Sequence, residues 1–314
     1  MNLLVTGAWS DGKNCITELE AMGHTVVFMQ YEKDELPCSY EWVEGVVCNG
    51  LFLSHPIGKF TNLRYIQLTS AGFDRVDMDY VKAHGIEIHN ARGVYSIPMA
   101  EFALCGVLQI YKQAAFFREN QKRHLWEKHR GLLELAGKKV LIVGCGSVGN
   151  ECAKRFAAFG CEVTGVDLIS TQECLLNSLR LLPGKGGIYS AILPLNCLED
   201  EIKAADIVIL TLPLSEQTLH LMNDNKLSLL KDGAMLVNIA RGAIVDTEAL
   251  IKHIDRLGGA VLDVFEEEPL IDNSPLWDKP NIILTPHNSF VGDGNGERLK
   301  SRVIEDIRRV KNVN

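Results

Sequence analysis

Three short stretches in the second half of the chain carry residue types that could together reduce a carbonyl. Asn238 is followed by Ile239-Ala240-Arg241-Gly242, Asp263 leads into Glu266-Glu267-Glu268-Pro269, and Pro286 is followed by His287-Asn288. The planar fork of donors on arginine can hold a carboxylate and polarise the carbonyl beside it. Hydride attack builds charge on the carbonyl oxygen, and a histidinium within hydrogen-bond reach can supply the proton. A carboxylate on the other ring nitrogen orients the imidazole and stabilises its charged form. In the oxidative direction the neutral histidine accepts the hydroxyl proton. Such a trio suits hydride transfer between a 2-hydroxy acid and a 2-keto acid. Each residue alone also has a plain structural reading. Arg241 can pair with Asp246 in its own turn, Glu266 to Glu268 can form a solvated acidic loop, and His287 can cap a strand end. Their joint position beside a dinucleotide fingerprint favours chemistry.

That fingerprint is Val140-Leu-Ile-Val-Gly144-Cys-Gly146-Ser147-Val148-Gly149, an apolar run entering GxGxxG. Gly144 permits the tight strand-to-helix turn, Gly146 the approach of a pyrophosphate, and Gly149 close packing of helix on strand. Helix-like sequence follows from Glu151 to Phe159, then a second apolar run from Cys161 ends in Asp167, 18 residues past Gly149. A carboxylate there can accept hydrogen bonds from adenosine ribose hydroxyls. No basic residue stands among Leu168 to Thr171 to welcome a 2′-phosphate, so NAD is favoured over NADP.

Alternating apolar runs and helical patterns must position these residues. Residues 2–90 read as strands at Asn2–Thr6, Thr25–Met29, Val43–Cys48, Leu63–Leu68 and Gly85–His89, with helical spacing from Gly12 to Met22. Later strands fall at Ile207–Thr211, Ala234–Asn238, Gly259–Asp263 and Asn281–Thr285. Buried runs separated by helices imply parallel sheets covered on both faces, with ligands beyond their carboxyl ends. Ser96–Tyr111 is an apolar helix candidate with Pro98 in its first turn, and its Glu101 needs a partner if buried. Aromatic and charged residues mix across 112–131, as in a subunit interface or a solvated loop. Arg298–Lys311 reads as a closing helix with Leu299, Val303, Ile307 and Val310 on one face. The glycine-rich Gly7–Gly12 lacks the GxGxxG order and reads as a plain turn.

At 314 residues the chain exceeds what one core usually supports, so two domains are expected. A net charge of −8 argues against nucleic acid or anionic membrane as the main partner. No leader-like segment and no bilayer-spanning apolar run is read. The nine cysteines are scattered without a CxxC pair, the pattern of reduced thiols in the cytoplasm. No HExxH or other metal-ligand spacing occurs, and the GxSxG nucleophile elbow is missing too.

Taken together, the chain resembles the D-isomer-specific 2-hydroxyacid dehydrogenase family over nearly its whole length. The resemblance is carried by Ser70–Asp77, Ala100-Glu101, Leu135–Lys138, Gly144–Gly149, Thr211-Leu212-Pro213-Leu214, Asn238–Asp246, Leu262–Pro269 and Thr285–His287, in this order. It implies that Arg241 binds substrate, His287 is the acid/base and Glu268 its partner. It further implies Ser147 and Val148 at the pyrophosphate, Leu212, Pro213, Ile239, Ala240 and Arg241 along the cofactor, and Asp263 on the nicotinamide carboxamide. Backbone at Ala71 and Gly72 would receive the substrate carboxylate. The implied architecture is α/β, with two Rossmann-like doubly wound parallel-sheet domains. One is a discontinuous flavodoxin-like substrate domain (1–98 and 287–314), the other an NAD-binding domain (99–286), with the active site in their cleft. Homodimerisation through the NAD-binding domain is usual in this family.

Four departures stand against the family pattern. Arg92 occupies a position where proline is frequent, and Phe102 follows Glu101 where histidine is common. Asn288-Ser289 replaces small residues after His287, and the segment 168–206 is long, with Leu182–Gly187 resembling an inserted turn. No room is left for the C-terminal regulatory domain of many phosphoglycerate dehydrogenases. The expected activity is NAD-dependent interconversion of a small D-2-hydroxy acid and its 2-keto acid, run as a reductase. The alternative is an NAD(H)-sensing, corepressor-like binding protein on the same fold.

Overall fold

Short runs of β-branched and leucine residues form strands whose alternate side chains enter opposite layers, as the two-residue pleat requires. The computed structural model describes residues 1–168 and 188–310, so the expected turn at Leu182–Gly187 and the last expected helix residue, Lys311, lie outside them. Two compact units result: Met1–Tyr95 with the segment from Gly292, and Ser96–Val291.

The first unit holds β1 (Asn2–Thr6), β2 (Thr25–Met29), β3 (Gly45–Cys48), β4 (Tyr65–Leu68) and β5 (Glu87–His89). All pair in parallel in the order β2-β1-β3-β4-β5, the flavodoxin-like order. Helix α1 (Ile16–Ala21) follows the first turn, and α2 (Met78–Ala83) is capped by Asp77, whose carboxylate accepts the Tyr80 N–H. On one face of the sheet, Leu3, Val5, Val47 and Tyr65 pack with Trp9 and with Leu299, Val303, Ile304 and Ile307 of the C-terminal helix. That helix runs from Asn295 to Arg309, three residues ahead of the start expected from its apolar face. Its one fully buried charge, Asp306, is met by Arg302 Nε at 2.6 Å. Leu4, Val46, Ile66 and Leu68 fill the other face.

The second unit opens with α3 (Ser96–Tyr111), whose limits coincide with the sequence reading. Glu101 points outward and pairs with Arg155 at 2.9 Å, so no buried carboxylate needs explaining. Helix α4 (Ala114–Lys122) follows, and beyond it Trp126 is 99% exposed, with Leu125, Leu132 and Leu133 also open to solvent. Next come β6 (Lys139–Val143), α5 (Ser147–Ala158), β7 (Glu162–Asp167) and β8 (Ala191–Pro194). Then follow α6 (Leu198–Ala204), β9 (Ile207–Leu210), α7 (Asp224–Leu229), β10 (Met235–Asn238), α8 (Thr247–His253), β11 (Gly259–Leu262) and β12 (Ile282–Leu284). Strand β8 has no counterpart in the sequence reading; it is a short edge strand with one fully buried residue, too weak a pattern to register. All seven strands are parallel, in the order β12-β11-β10-β9-β6-β7-β8. The chain reverses direction across the sheet between β6 and β9, the switch point where open α/β sheets bind ligands. No helix among the described residues is long and apolar enough to cross a membrane.

Candidate active site

The turn after β6 lies at that switch point. Gly144 adopts φ +104, and a Cβ there would stand 2.8 Å from the Leu212 backbone nitrogen. A Cβ on Gly149 would stand 2.0 Å from the Gly144 carbonyl oxygen, so helix and strand could not close on each other with any larger residue. Gly146 is the N-cap of α5 and supplies no side-chain cap, while Gly146, Ser147 and Val148 remain half-buried. The first amides of a 12-residue helix are therefore left for an anion, and could hold a pyrophosphate. Asp167 ends β7 next door. Its Oδ2 accepts the Cys145 N–H at 2.6 Å and its Oδ1 the Leu168 N–H at 2.7 Å. Among the described residues each oxygen accepts one bond, which leaves capacity on both that ribose hydroxyls could use. From β9, Thr211 donates its hydroxyl to the Gly144 carbonyl at 2.6 Å, and buried Leu212 closes against the turn while Pro213 is exposed. Behind the turn, Cys152 is fully buried and burial pushes its thiol up to about 12, so it packs as a small apolar group.

Further along the same edge, the ends of β10, β11 and β12 carry the other candidates. Buried Asn238 shapes the turn that presents Arg241: its amide nitrogen donates to the Arg241 carbonyl at 3.0 Å, and its oxygen accepts the Ala240 N–H at 3.1 Å. Ile239 and Ala240 are buried within this turn, and the Arg241 guanidinium donates to the Ala240 carbonyl at 2.7 Å. Gly242 is obligatory here, because a Cβ would fall 1.8 Å from the Phe265 carbonyl carbon. The Arg241 turn is thus pressed against the acidic loop after β11. Asp246 spends one oxygen capping α8 through the Ala249 N–H.

His287 and Glu268 meet directly. His287 Nδ1 lies 2.9 Å from Glu268 Oε2, and the carboxylate's other oxygen accepts the Phe265 N–H at 3.1 Å. With a carboxylate as acceptor, Nδ1 must carry the proton, which directs Nε2 to outside chemistry. Nε2 makes no hydrogen bond among the described residues, and both side chains are partly exposed. The His287 backbone sits at φ +51, a left-handed conformation uncommon for histidine. Asp263 secures it. The Asp263 carbonyl accepts the His287 N–H at 2.7 Å. Its fully buried carboxylate accepts the Thr285 hydroxyl at 2.6 Å and the N–H groups of Asn288 and Ser289 at 2.8 and 2.9 Å. Thr285 and Asn238 escaped the sequence reading as site-shaping residues, although both stand at the ends of strands that carry the candidates, whereas Ser289 entered it only as a departure from the family pattern.

The glycine turn, Asp167, the Arg241 turn and the Glu268–His287 pair therefore share the carboxyl edge of one sheet. His287 follows β12 and the glycine turn follows β6, four strands apart, or roughly 19 Å at the usual inter-strand spacing. Ala71 and Gly72 belong to the first unit, after β4. The Ala71 carbonyl accepts the Asn90 side-chain amide at 2.5 Å, and the Gly72 carbonyl accepts the Ser70 hydroxyl at 3.1 Å. Arg92 is exposed, its backbone N–H bonded to Asn90 Oδ1 at 3.2 Å. Among the described residues no group of three or more side chains could hold a metal ion.

Residues 104–289 match the family model described as D-isomer specific 2-hydroxyacid dehydrogenase, NAD binding domain. A glyoxylate reductase of Thermofilum pendens is 32% identical over 233 residues, covering 72% of this chain and 65% of that protein. The (S)-sulfolactate dehydrogenase of Chromohalobacter salexigens is 31% identical over 261 residues, covering 82% of this chain and 80% of its own length. The match thus spans just under two thirds of the first relative. A crystal structure of a D-isomer specific 2-hydroxyacid dehydrogenase family protein from Aeromonas salmonicida superposes with a TM-score of 0.78 at 27% identity, covering 98% of this chain and 94% of the other.

Proposed function

The chain belongs to the D-isomer-specific 2-hydroxyacid dehydrogenase family and carries its NAD-binding domain, and on that premise we propose that it reduces a small 2-keto acid to the D-2-hydroxy acid. The contact of His287 Nδ1 with Glu268 at 2.9 Å, on the sheet edge that also carries the glycine turn, is the observation that supports this reading most. Bound NADH supplies the hydride. Arg241 holds the substrate carboxylate and polarises the carbonyl. His287 Nε2 delivers the proton to the carbonyl oxygen as charge builds there. Glu268 keeps the imidazole oriented and stabilises its charged form. Asp263 fixes the left-handed turn at His287, and we assign its remaining acceptor capacity to the nicotinamide carboxamide. Gly144, Gly146, Ser147, Val148 and Gly149 hold the pyrophosphate, and Asp167 the ribose. Leu212, Pro213, Ile239 and Ala240 line the cofactor.

We assign residues 1–98 and 287–314 to substrate and 99–286 to cofactor. Names of relatives, glyoxylate reductase and (S)-sulfolactate dehydrogenase, support a small acid, with glyoxylate and hydroxypyruvate as first candidates. The exposed Trp126, Leu125, Leu132 and Leu133 support a homodimer with this segment covered by a second copy, and we place the protein in the cytoplasm on its scattered cysteines. A monomer in sedimentation equilibrium would contradict that assembly. The function is tested by a panel of 2-keto acids with NADH, comparing wild type with His287→Ala. At least one acid is turned over by wild type, and removal of the proton donor lowers the rate by ~10²–10⁴-fold. Tight NADH binding without turnover of any acid would instead identify a cofactor-sensing binding protein.

A further inference from the structure

Two histidine–glutamate pairs share one short loop. Two residues before Glu268, Glu266 Oε1 lies 2.5 Å from His220 Nε2. Glu266 Oε2 accepts the backbone N–H of Thr247 at 2.8 Å, where α8 begins just after the Arg241 turn. The His220 backbone N–H donates to the Ala243 carbonyl at 2.8 Å, and Met222 N–H to the Ile244 carbonyl at 2.9 Å. Asp246 N–H returns to the Met222 carbonyl at 3.1 Å. Residues 220–222 therefore run beside 243–246 as a short parallel bridge. The two oxygens of the Glu266 carboxylate thus tie its own loop, which presents Glu268, to the bridge through His220 and to the start of α8, a few residues past the Arg241 turn, through Thr247. His220 also lies at φ +47, so, like His287, it reverses the chain at a residue other than glycine and brings a ring onto the acidic loop.

As a surface ion pair this contact would contribute little to stability, since both side chains are partly exposed. Its effect is geometric. Displacing a reacting group by about 1 Å can cost ~10²-fold in rate. Burial pushes the Glu266 carboxyl up, but bonds from Thr247 and His220 outweigh it and hold the group below the ordinary carboxylate range.

We propose that His220 and Glu266 are positioning residues that set the spacing between Arg241 and the Glu268–His287 pair, so that carboxylate anchor and proton donor act on one substrate. This rests on the assignment of Arg241, Glu268 and His287 made above. Glu266→Ala in the full-length chain lowers kcat/KM for the preferred keto acid by about 5–30-fold, while the NADH Kd stays within about twofold. Glu266→Gln keeps an acceptor for Thr247 and a neutral bond to His220, and recovers most of the loss. His220→Asn tolerates the left-handed backbone and repeats the loss without touching the loop, which serves if Glu266→Ala folds poorly.

A double-mutant cycle separates positioning from general destabilisation. In a Glu268→Gln background, Glu266→Ala adds less than about twofold, because the residue it holds is already disabled. Losses that multiply, or no loss in either single variant, overturn the proposal. A second readout does not need turnover. The downfield ring N–H resonance of His287, identified by its disappearance in His287→Ala, broadens or moves in Glu266→Ala. An unchanged resonance overturns the positioning role, whereas a wild type with a normal resonance and no turnover removes the assigned reaction instead.

Discussion

Each of the two sheets begins with a strand, a glycine-containing turn, a helix and a second strand with an acid at or just beyond its end. After β1 the turn Gly7–Gly12 is filled by Trp9, which is completely buried against the sheet, and the chain passes through a 3₁₀ segment (Gly12–Cys15) into the six-residue α1. The acid there, Glu32, is more heavily engaged: Oε1 accepts the Thr6 hydroxyl and the Asn49 N–H, and Oε2 the Gly50 N–H, all at 2.7 Å. After β6 no side chain caps the helix start, α5 begins at once and runs for 12 residues, and among the described residues Asp167 accepts one bond on each oxygen. Identical topology thus yields an internally bonded turn in one place and a turn with an uncapped helix start, proposed above as the pyrophosphate site, in the other. What separates them is the side chain that occupies the helix start and the number of internal donors aimed at the acid.

Three substitutions would break or sharpen that contrast. Trp9→Ala should cost about 3–5 kcal/mol in chemical denaturation by opening a large cavity, while folded protein keeps its NADH affinity within about twofold. A parallel fall in NADH binding would mean that the first turn belongs to the nucleotide site after all. Gly149→Ala drives a methyl group toward the Gly144 carbonyl, where only 2.0 Å is available, and should forfeit about 100-fold in NADH affinity, roughly 3 kcal/mol. Retained affinity by fluorescence titration would show that the cradle relaxes freely. The smallest effect is expected from Asp167→Ala, which should lower the preference for NADH over NADPH by about tenfold through loss of a charge-assisted bond to ribose. Were both cofactors to weaken equally, that carboxylate would serve the turn alone, as Glu32 does.

The residues of the site differ in how far they could be read ahead of the fold. The glycines at 144 and 149, the strand that enters them and the helix Ser96–Tyr111 follow from local rules of backbone sterics and helix termination, which act over a few residues. Residue types alone left Glu266, Glu267 and Glu268 equivalent, and only the family resemblance singled out the last. In the folded chain they part company: Glu268 meets His287, 19 positions away, and Glu266 turns to His220, 46 positions away. Glu101, whose apolar helix could have buried it, emerges instead beside Arg155.

The sequence by itself determined the parallel-strand architecture, the glycine turn after β6 and the order of the chemical groups along the strand ends, because periodicity and glycine sterics are local. Tertiary structure alone decided which acid faces which histidine, and that Asp263 gathers Thr285, Asn288 and Ser289 around the turn at His287. Those pairings depend on strand register and loop path between residues 19 to 46 positions apart, and no local pattern encodes them.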